Sequence, residues 1–198
     1  GINTGHMGFF QELQPTELDD FIFMYKQNRF TIQHLKTIKA TVSVDGRTQE
    51  ILGLNEIVVK GTNARSTHLN ISIGDSFIER FSGDGILVST PAGSTAYNYS
   101  LGGSIVDPRL SILQITPIAP INTTAYRCFT SSVVLPQELY VLIHPEPGNK
   151  NLMVVADGME HTFSGEISEI RMAFSDTIVK LMRFEHYDFW NKVKTKFL

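Results

Sequence analysis

The sequence predicts a mainly β protein, a two-layer antiparallel β-sandwich with a few short helices, for which α+β is the alternative label. Two observations predict it. Apolar residues come in short alternating runs separated by Gly, Asp, Asn and Pro turns. Regular strand-helix alternation, the pattern of a doubly wound parallel sheet, is absent. With 198 residues, 42% of them hydrophobic, the chain can bury one sizeable core and asks for no more than one or two domains.

The elements follow in order. Gly1-Ile2-Asn3-Thr4-Gly5-His6-Met7-Gly8-Phe9 reads as a glycine-punctuated loop with no element before it, which suggests a fragment or a missing beginning. Between Pro15 and Lys26, apolar residues at 18, 21, 22 and 25, with Pro15 in the first turn and acids beside it, predict one amphipathic helix. From Thr37 the period changes to two: Ile38, Ala40, Val42 and Val44 share a face, and Asp45-Gly46 turns the chain into a strand from Thr48 to Val59. Strands from Leu69 to Ile73, Phe77 to Phe81 and Ile86 to Ser89 are separated by turns at Gly74-Asp75 and Gly83-Asp84-Gly85. Pro91 to Gly103 then reads as a turn, a short helix and a glycine stop. Six further strands are expected, Leu110 to Ile115, Ser131 to Leu135, Leu139 to His144, Met153 to Ala156, Ile167 to Phe174 and Ile178 to Phe184. Glu146-Pro147-Gly148-Asn149 and Asp157-Gly158 are turns, and Phe189 to Phe197 is a terminal helix.

Composition excludes several functions. A net charge of -3 with mixed signs provides no broad basic field, so binding to nucleic acid through its phosphates is not expected. Cys128 is the single cysteine, which rules out an internal disulfide and points to a reducing, cytoplasmic setting. No run approaches the ~20 apolar residues of a membrane helix, and no signal-peptide layout opens the sequence. The six histidines lack paired metal-ligand spacing, so no zinc site is expected. A Walker loop and a Gly-x-Ser-x-Gly elbow are also missing, although Pro91-Ala92-Gly93-Ser94-Thr95 loosely resembles the latter.

Three places could carry chemistry. The stretch from Ser89 to Gly103 can present backbone N–H groups to phosphate, or it can be a capped helix after a turn. Asn55-Glu56 interrupts the apolar run from Ile51 to Val59, where an amide suits an adenine edge and a carboxylate suits ribose hydroxyls; alternatively Glu56 points to water and Asn55 caps a bulge. Asp84 and Asp157 are most simply turn residues.

Taken together and in this order, Gly1 to Phe9, Leu54-Asn55-Glu56, Gly83-Asp84-Gly85, Ser89-Thr90-Pro91-Ala92-Gly93-Ser94-Thr95-Ala96-Tyr97, Gly102-Gly103-Ser104-Ile105-Val106 and Asp157-Gly158 resemble the NAD kinase family. The resemblance implies transfer of a phosphoryl group from ATP or polyphosphate, with a divalent cation such as Mg, to the adenosine 2′-hydroxyl of NAD. It implies a homodimer or homotetramer with no membrane or nucleic-acid partner. Residues 1–30 become a loop and helix at an interdomain cleft, left over from an N-terminal lobe. Residues 31–184 become the β-rich NAD-binding domain, and 185–198 a helical tail. Asn55 would contact adenine, with Glu56 near the ribose or the metal-phosphate region. Thr95, Ala96 and Tyr97 would line the adenosine pocket, Phe9 would help to close it, and Ala92 and Ser100 would belong to the NAD site. Asp84, Ala119, Ile121 and Tyr126 fall on the nicotinamide-ribose side, partly across a subunit interface, with Asp157 and Gly158 near that side.

Two departures from the family pattern matter. Ala92 stands where a threonine or serine is usual, so a hydroxyl contact to adenosine would pass to the backbone or to Thr95, a loss of about 0.5–1.5 kcal/mol. The family's Gly-Gly-Asp-Gly-Thr motif, which holds the catalytic aspartate, belongs upstream of Gly1, so no catalytic residue is assigned in this chain and it is expected to be inactive alone. Ser82-Gly83-Asp84-Gly85 imitates that motif but is followed by a strand instead of Thr, so Asp84 is expected to bind and not to act as base. Two alternatives stay open: a lipid kinase of the related diacylglycerol and sphingosine kinases, and a non-catalytic nucleotide-binding module.

Overall fold

Alternation in the sequence becomes alternation of burial. Along β1 (Phe30–Val44), Ile38, Ala40 and Val42 are fully buried, whereas Lys39 and Thr41 between them are not, as a two-residue period requires. Asp45 and Gly46 both have positive φ, 47° and 75°, the conformation of a tight hairpin loop, and they place Val44 opposite Arg47 at the start of β2 (Arg47–Gly53). The computed structural model describes residues 9–11, 13, 15–63, 65–148, 151–184 and 187–198. The expected loop at Gly1 to Gly8, and Asn149 of one expected turn, lie outside the described residues.

The expected strand from Thr48 to Val59 is in fact two. After Gly53 the chain bends at Leu54-Asn55 and enters β3 (Glu56–Gly61) in the other sheet. Ile57, Val58 and Val59 are all buried, so this strand is covered on both faces, and its continuous apolar run concealed the break. β4 (Thr67–Ile73) and β5 (Ser76–Gly83) form the expected hairpin, with a bulge between Ile71 and Ser72. Gly83-Asp84-Gly85 is not a hairpin turn, because β5 and β6 (Gly85–Ser89) belong to different sheets. It is a corner at which the chain changes layers.

A 3-10 turn (Ala92–Thr95) and α2 (Tyr97–Ser100) follow, after an earlier α1 (Leu18–Lys26). Then come β7 (Ile112–Ile118), β8 (Val133–Pro136), β9 (Val141–Pro145), β10 (Leu152–Ala156), β11 (Met159–His161), β12 (Ile167–Phe184) and α3 (Phe189–Phe197). β11 has only three residues, too few for a periodic signal. The two strands expected between Ile167 and Phe184 are one, because nothing between Phe174 and Ile178 stops an extended chain.

Two antiparallel six-stranded sheets result, ordered β2-β1-β12-β9-β4-β5 and β11-β10-β3-β6-β7-β8. The expected two-layer sandwich is therefore present. Ile38, Leu69, Phe81, Ile143, Ile170 and Met172 of the first sheet share one core with Ile57, Val59, Ile86, Val88, Leu113 and Val154 of the second.

The chain divides into two units. Lys36–Ile178 contains this core. The other unit joins the residues up to Leu35 with Val179–Leu198. Within it, Phe21 packs edge-on against Phe184 at 5.0 Å and Tyr25 stacks on Phe30 at 5.7 Å. The Asp188 carboxylate caps α3 by accepting from the amides of Trp190 and Asn191.

Gly83 is required at its corner. A Cβ there would stand 2.7 Å from the Ala119 carbonyl oxygen and 2.9 Å from that of Ile118, both backbone atoms with no freedom to retreat. Gly83→Ala is therefore expected to cost about 1–3 kcal/mol of unfolding free energy in urea titration, and an unchanged midpoint would show that the corner yields.

Candidate functional site

The bend at Leu54-Asn55 leaves three successive amides that neither sheet can pair. Asp157, about a hundred residues later, accepts all of them. Its Oδ2 takes the Leu54 N–H at 2.6 Å, and its Oδ1 takes those of Asn55 at 2.7 Å and Glu56 at 3.2 Å. The Asp157 amide returns a bond to the Glu56 carbonyl at 3.2 Å. Asp157 and Gly158 have φ of 48° and 83° and form the tight turn between β10 and β11, a conformation that Asp tolerates and Gly favours. The expected turn is present, and its carboxylate is engaged in holding backbone.

Thr90 holds the same bend through its carbonyls. Its Oγ1 donates to the Leu54 carbonyl at 2.7 Å, and its amide donates to the Asn55 carbonyl at 2.9 Å. Three residues on, Gly93 lies so close to the Asn55 backbone that any Cβ would collide with the Asn55 carbonyl. The amides of Gly93, Ser94 and Ala96 are spent on the turn's own carbonyls at 3.1, 3.3 and 2.9 Å. These amides brace the turn.

Behind it lies a buried polar layer. Ser94 Oγ donates to the Pro91 carbonyl and accepts the Val106 amide at 3.0 Å. Asn98 Nδ2 donates to the Ser94 carbonyl, and Asn98 Oδ1 accepts the Thr116 hydroxyl at 2.7 Å. Gln114 Oε1 accepts the Ser104 amide at 2.8 Å. Facing outward from the same turn and helix, Tyr97 and Ser100 are exposed, Thr95 and Ala96 are half-buried, and Ala92 is buried.

Among the described residues, two acceptors at the bend have no donor. Asn55 Oδ1 and Glu56 Oε2 are buried there without a hydrogen-bond partner, a costly state that polar groups rarely keep without a reason. Burial first, and the neighbouring Asp157 charge second, push the Glu56 carboxyl up to about 7.

A second cluster forms at the Asp84 corner. The Asp84 amide donates to the Ile118 carbonyl at 3.0 Å and its carbonyl accepts the Gly61 amide at 3.2 Å. Ala119, at a φ of 45°, follows directly, and the Ile121 amide donates to the Ser82 carbonyl at 2.7 Å. Asp84, Ala119 and Ile121 are all exposed. The two clusters terminate the same strand, because β3 pairs with β6 from Glu56 opposite Ser89 to Lys60 opposite Gly85. Asp84 and Thr90 are six residue steps apart, about 20 Å of extended chain.

Two sequence candidates remain. Phe9 belongs to the other unit, with its ring 5.3 Å from Phe189 and 6.1 Å from Phe197. Tyr126, on the β7–β8 loop, has its hydroxyl on Glu146. Sequence reading missed Thr90, Asn98 and Gln114 as structural partners of the site. A threonine three residues before a close-packed glycine was a legible signal, but its partners 35 positions away were not. Among the described residues, no group of three or more His, Cys, Asp or Glu side chains could hold a metal ion.

Residues 54–184 match the model of the ATP-NAD kinase C-terminal domain. The chain is 36% identical over 203 residues to a NAD kinase of Finegoldia magna, covering all of this chain and 74% of that protein. It is 32% identical over 200 residues to one of Lactobacillus johnsonii, covering all of this chain and 73% of the relative. Among solved structures, yeast NADH kinase complexed with NADH superposes with a TM-score of 0.85 at 22% identity, over 98% of this chain and 57% of that one. An NAD kinase from Archaeoglobus fulgidus in complex with ATP gives 0.78 at 25% identity, over 99% and 72%.

Two outcomes follow from the bend. Asp157→Ala strands three amides, two of them close to solvent, and is expected to cost about 1–3 kcal/mol in chemical denaturation, with Asp157→Asn losing less because it keeps one acceptor. The Glu56 carboxyl, raised from an ordinary value of 4.5, retains in the folded state a proton that the unfolded chain releases. Its contribution to stability is thus full below pH 4.5 and lost as pH rises through about 7. Glu56→Gln removes that dependence, so its stability relative to the unmodified protein should climb between those pH values and level off above them; a flat difference in urea midpoints would contradict the shift.

Proposed function

We propose, because this chain belongs to the NAD kinase family, that it supplies the NAD-binding part of an enzyme that transfers a phosphoryl group from ATP or polyphosphate to the adenosine 2′-hydroxyl of NAD. One observation carries the assignment of the site. Asn55 and Glu56 are fixed by Asp157 on one side and Thr90 on the other, and yet each keeps an unused acceptor. A nucleoside supplies the matching donors: the adenine amino group for Asn55 Oδ1 and a ribose hydroxyl for Glu56.

In this reading Thr95, Ala96, the outward-facing Tyr97 and Ser100 border the adenosine, with Ala92 beneath them. Tyr97 offers its ring to the base. Asp84, Ala119, Ile121 and Tyr126 serve the nicotinamide ribose, and Asp157 and Gly158 anchor the bend. Because the two clusters end one strand about 20 Å apart, a bound dinucleotide draws the second cluster from its own chain or from a neighbouring copy, which fits a homodimer or homotetramer. Residues 1–30 and 185–198 flank a β-rich binding domain of 31–184.

The chemistry also needs a base and a donor site. An aspartate in a preceding lobe would accept the 2′-hydroxyl proton as that oxygen attacks the terminal phosphate. A divalent cation such as Mg would neutralise the phosphates of the donor. Among the described residues, no group of three or more His, Cys, Asp or Glu side chains could hold it. No helix among the described residues is long and apolar enough to cross a membrane; cytoplasmic work is proposed on the single cysteine, which suits a reducing compartment.

The test compares the full-length protein with the 198-residue chain. In the full-length protein, Asn55→Ala is expected to abolish NAD binding in calorimetry and leave sedimentation unchanged, and the chain alone is expected to form no NADP. Unaltered NAD affinity in the variant sinks the site; a robust rate from the isolated chain sinks the division of labour.

A further inference from the structure

At the far end of the first sheet, four side chains from different elements close on one another. Glu146, just past β9, divides its carboxylate between two partners. Oε1 accepts from Arg80 of β5, with Nε at 2.9 Å and Nη2 at 2.8 Å, and Oε2 accepts the Tyr126 hydroxyl at 2.9 Å. The Arg80 guanidinium also lies 5.0 Å from the centre of the Tyr126 ring, which completes a triangle. The imidazole of His68, on β4, stacks on that ring at 4.8 Å and 20°. The Glu146 amide donates to the His68 carbonyl at 3.0 Å, which ties the carboxylate's backbone to the same place.

The loop that carries Tyr126 otherwise has little to hold it there. Thr123, Thr124 and Ala125 are exposed, and among the described residues the backbone bonds of Tyr126 run only to Thr123. The loop's other ties lie to either side, where the Ile121 amide meets the Ser82 carbonyl at 2.7 Å, the Phe129 amide meets the Glu79 carboxylate at 2.7 Å and the Cys128 amide meets Asn122. Without the triangle, the Tyr126 ring keeps its stack on His68 but loses the hydroxyl tie that fixes its rotation.

We propose that Arg80 and Glu146, with His68 stacked beside them, are positioning residues that fix Tyr126 before NAD arrives. The inference rests on the reading that Tyr126 serves the nicotinamide ribose. It adds that Tyr126 meets the ligand with its ring, since its hydroxyl is committed to Glu146. A side chain ordered in advance loses no rotamer freedom on binding, an advantage of about 2- to 10-fold in affinity. No group of the triangle touches the reacting atoms, so the effect falls on KM and leaves kcat alone.

The experiment measures KM for NAD, kcat and thermal midpoint in the full-length kinase containing this chain. Arg80→Met, Glu146→Gln and Tyr126→Phe are each expected to raise KM about 2- to 10-fold at constant kcat. The pair Arg80→Met with Tyr126→Phe is expected to be no worse than either alone, because each opens the same triangle. Tyr126→Ala, which removes the ring, should raise KM further. If Tyr126→Ala leaves KM unchanged, the assignment of Tyr126 to the NAD site fails. If Tyr126→Ala raises KM and the three subtler variants do not, the positioning role fails and the reading stands. Variants that lower the thermal midpoint without moving KM reduce the triangle to a stabilising contact and also overturn the proposal. Arg80 is half exposed, so its variant keeps the test open if a tyrosine variant misfolds.

Discussion

The Asp157 carboxylate is the constraint on which the site depends. A sandwich chain that passes from one layer to the other must break its ladder, and every broken ladder leaves amides that want acceptors. At Leu54, Asn55 and Glu56 one charged group answers three of them, on a hairpin whose positive-φ residues only a few side chains accept. Because Asp157 ends β10, and β10 pairs with β3, the clamp locks the bend to the strand beside it. The same charge makes ionisation of Glu56 harder, so one group sets both the shape of the segment and its protonation.

The polar interior around the bend contains two kinds of group. Ser94, Asn98, Thr116 and Gln114 satisfy one another and nearby backbone, and in a low-dielectric interior such a completed network stiffens what it joins. Asn55 and Glu56 each leave an oxygen unsatisfied. Where a protein completes one network and leaves its neighbour incomplete, the incomplete part is where a ligand's donors can gain most.

Much of the fold was legible because it follows local rules. The period of two in β1 and the positive-φ pairs at Asp45-Gly46 and Asp157-Gly158 need only neighbouring residues to be read. What was not legible depends on distance. The run from Ile51 to Val59 looks like one strand since burial on both faces erases the alternation that would expose its break at Asn55. The Gly83-Asp84-Gly85 corner looks like a hairpin since the same glycines serve either turn, and only the identity of the next sheet distinguishes them. Asn55-Glu56 and the stretch from Ser89 to Tyr97 were recognisable as special, but the carboxylate of Asp157 beneath them was not, because a partner about a hundred positions away leaves no trace in local pattern. The triangle around Tyr126 draws on four separate elements and had no local signature.

β6 joins the two clusters, and a strand is a poor ruler to adjust. Its length changes only in whole residues, about 3.3 Å each, and a single step also turns every later side chain to the opposite face. The span between the Asp84 corner and the Thr90 corner therefore changes without disturbing the pleat only by pairs, in jumps of about 7 Å, and a single added residue has to be taken up as a bulge like the one at Ile71-Ser72. Diversification among proteins built on this strand has to come from the loops at its ends, where a residue gained or lost shifts a contact without inverting the sheet.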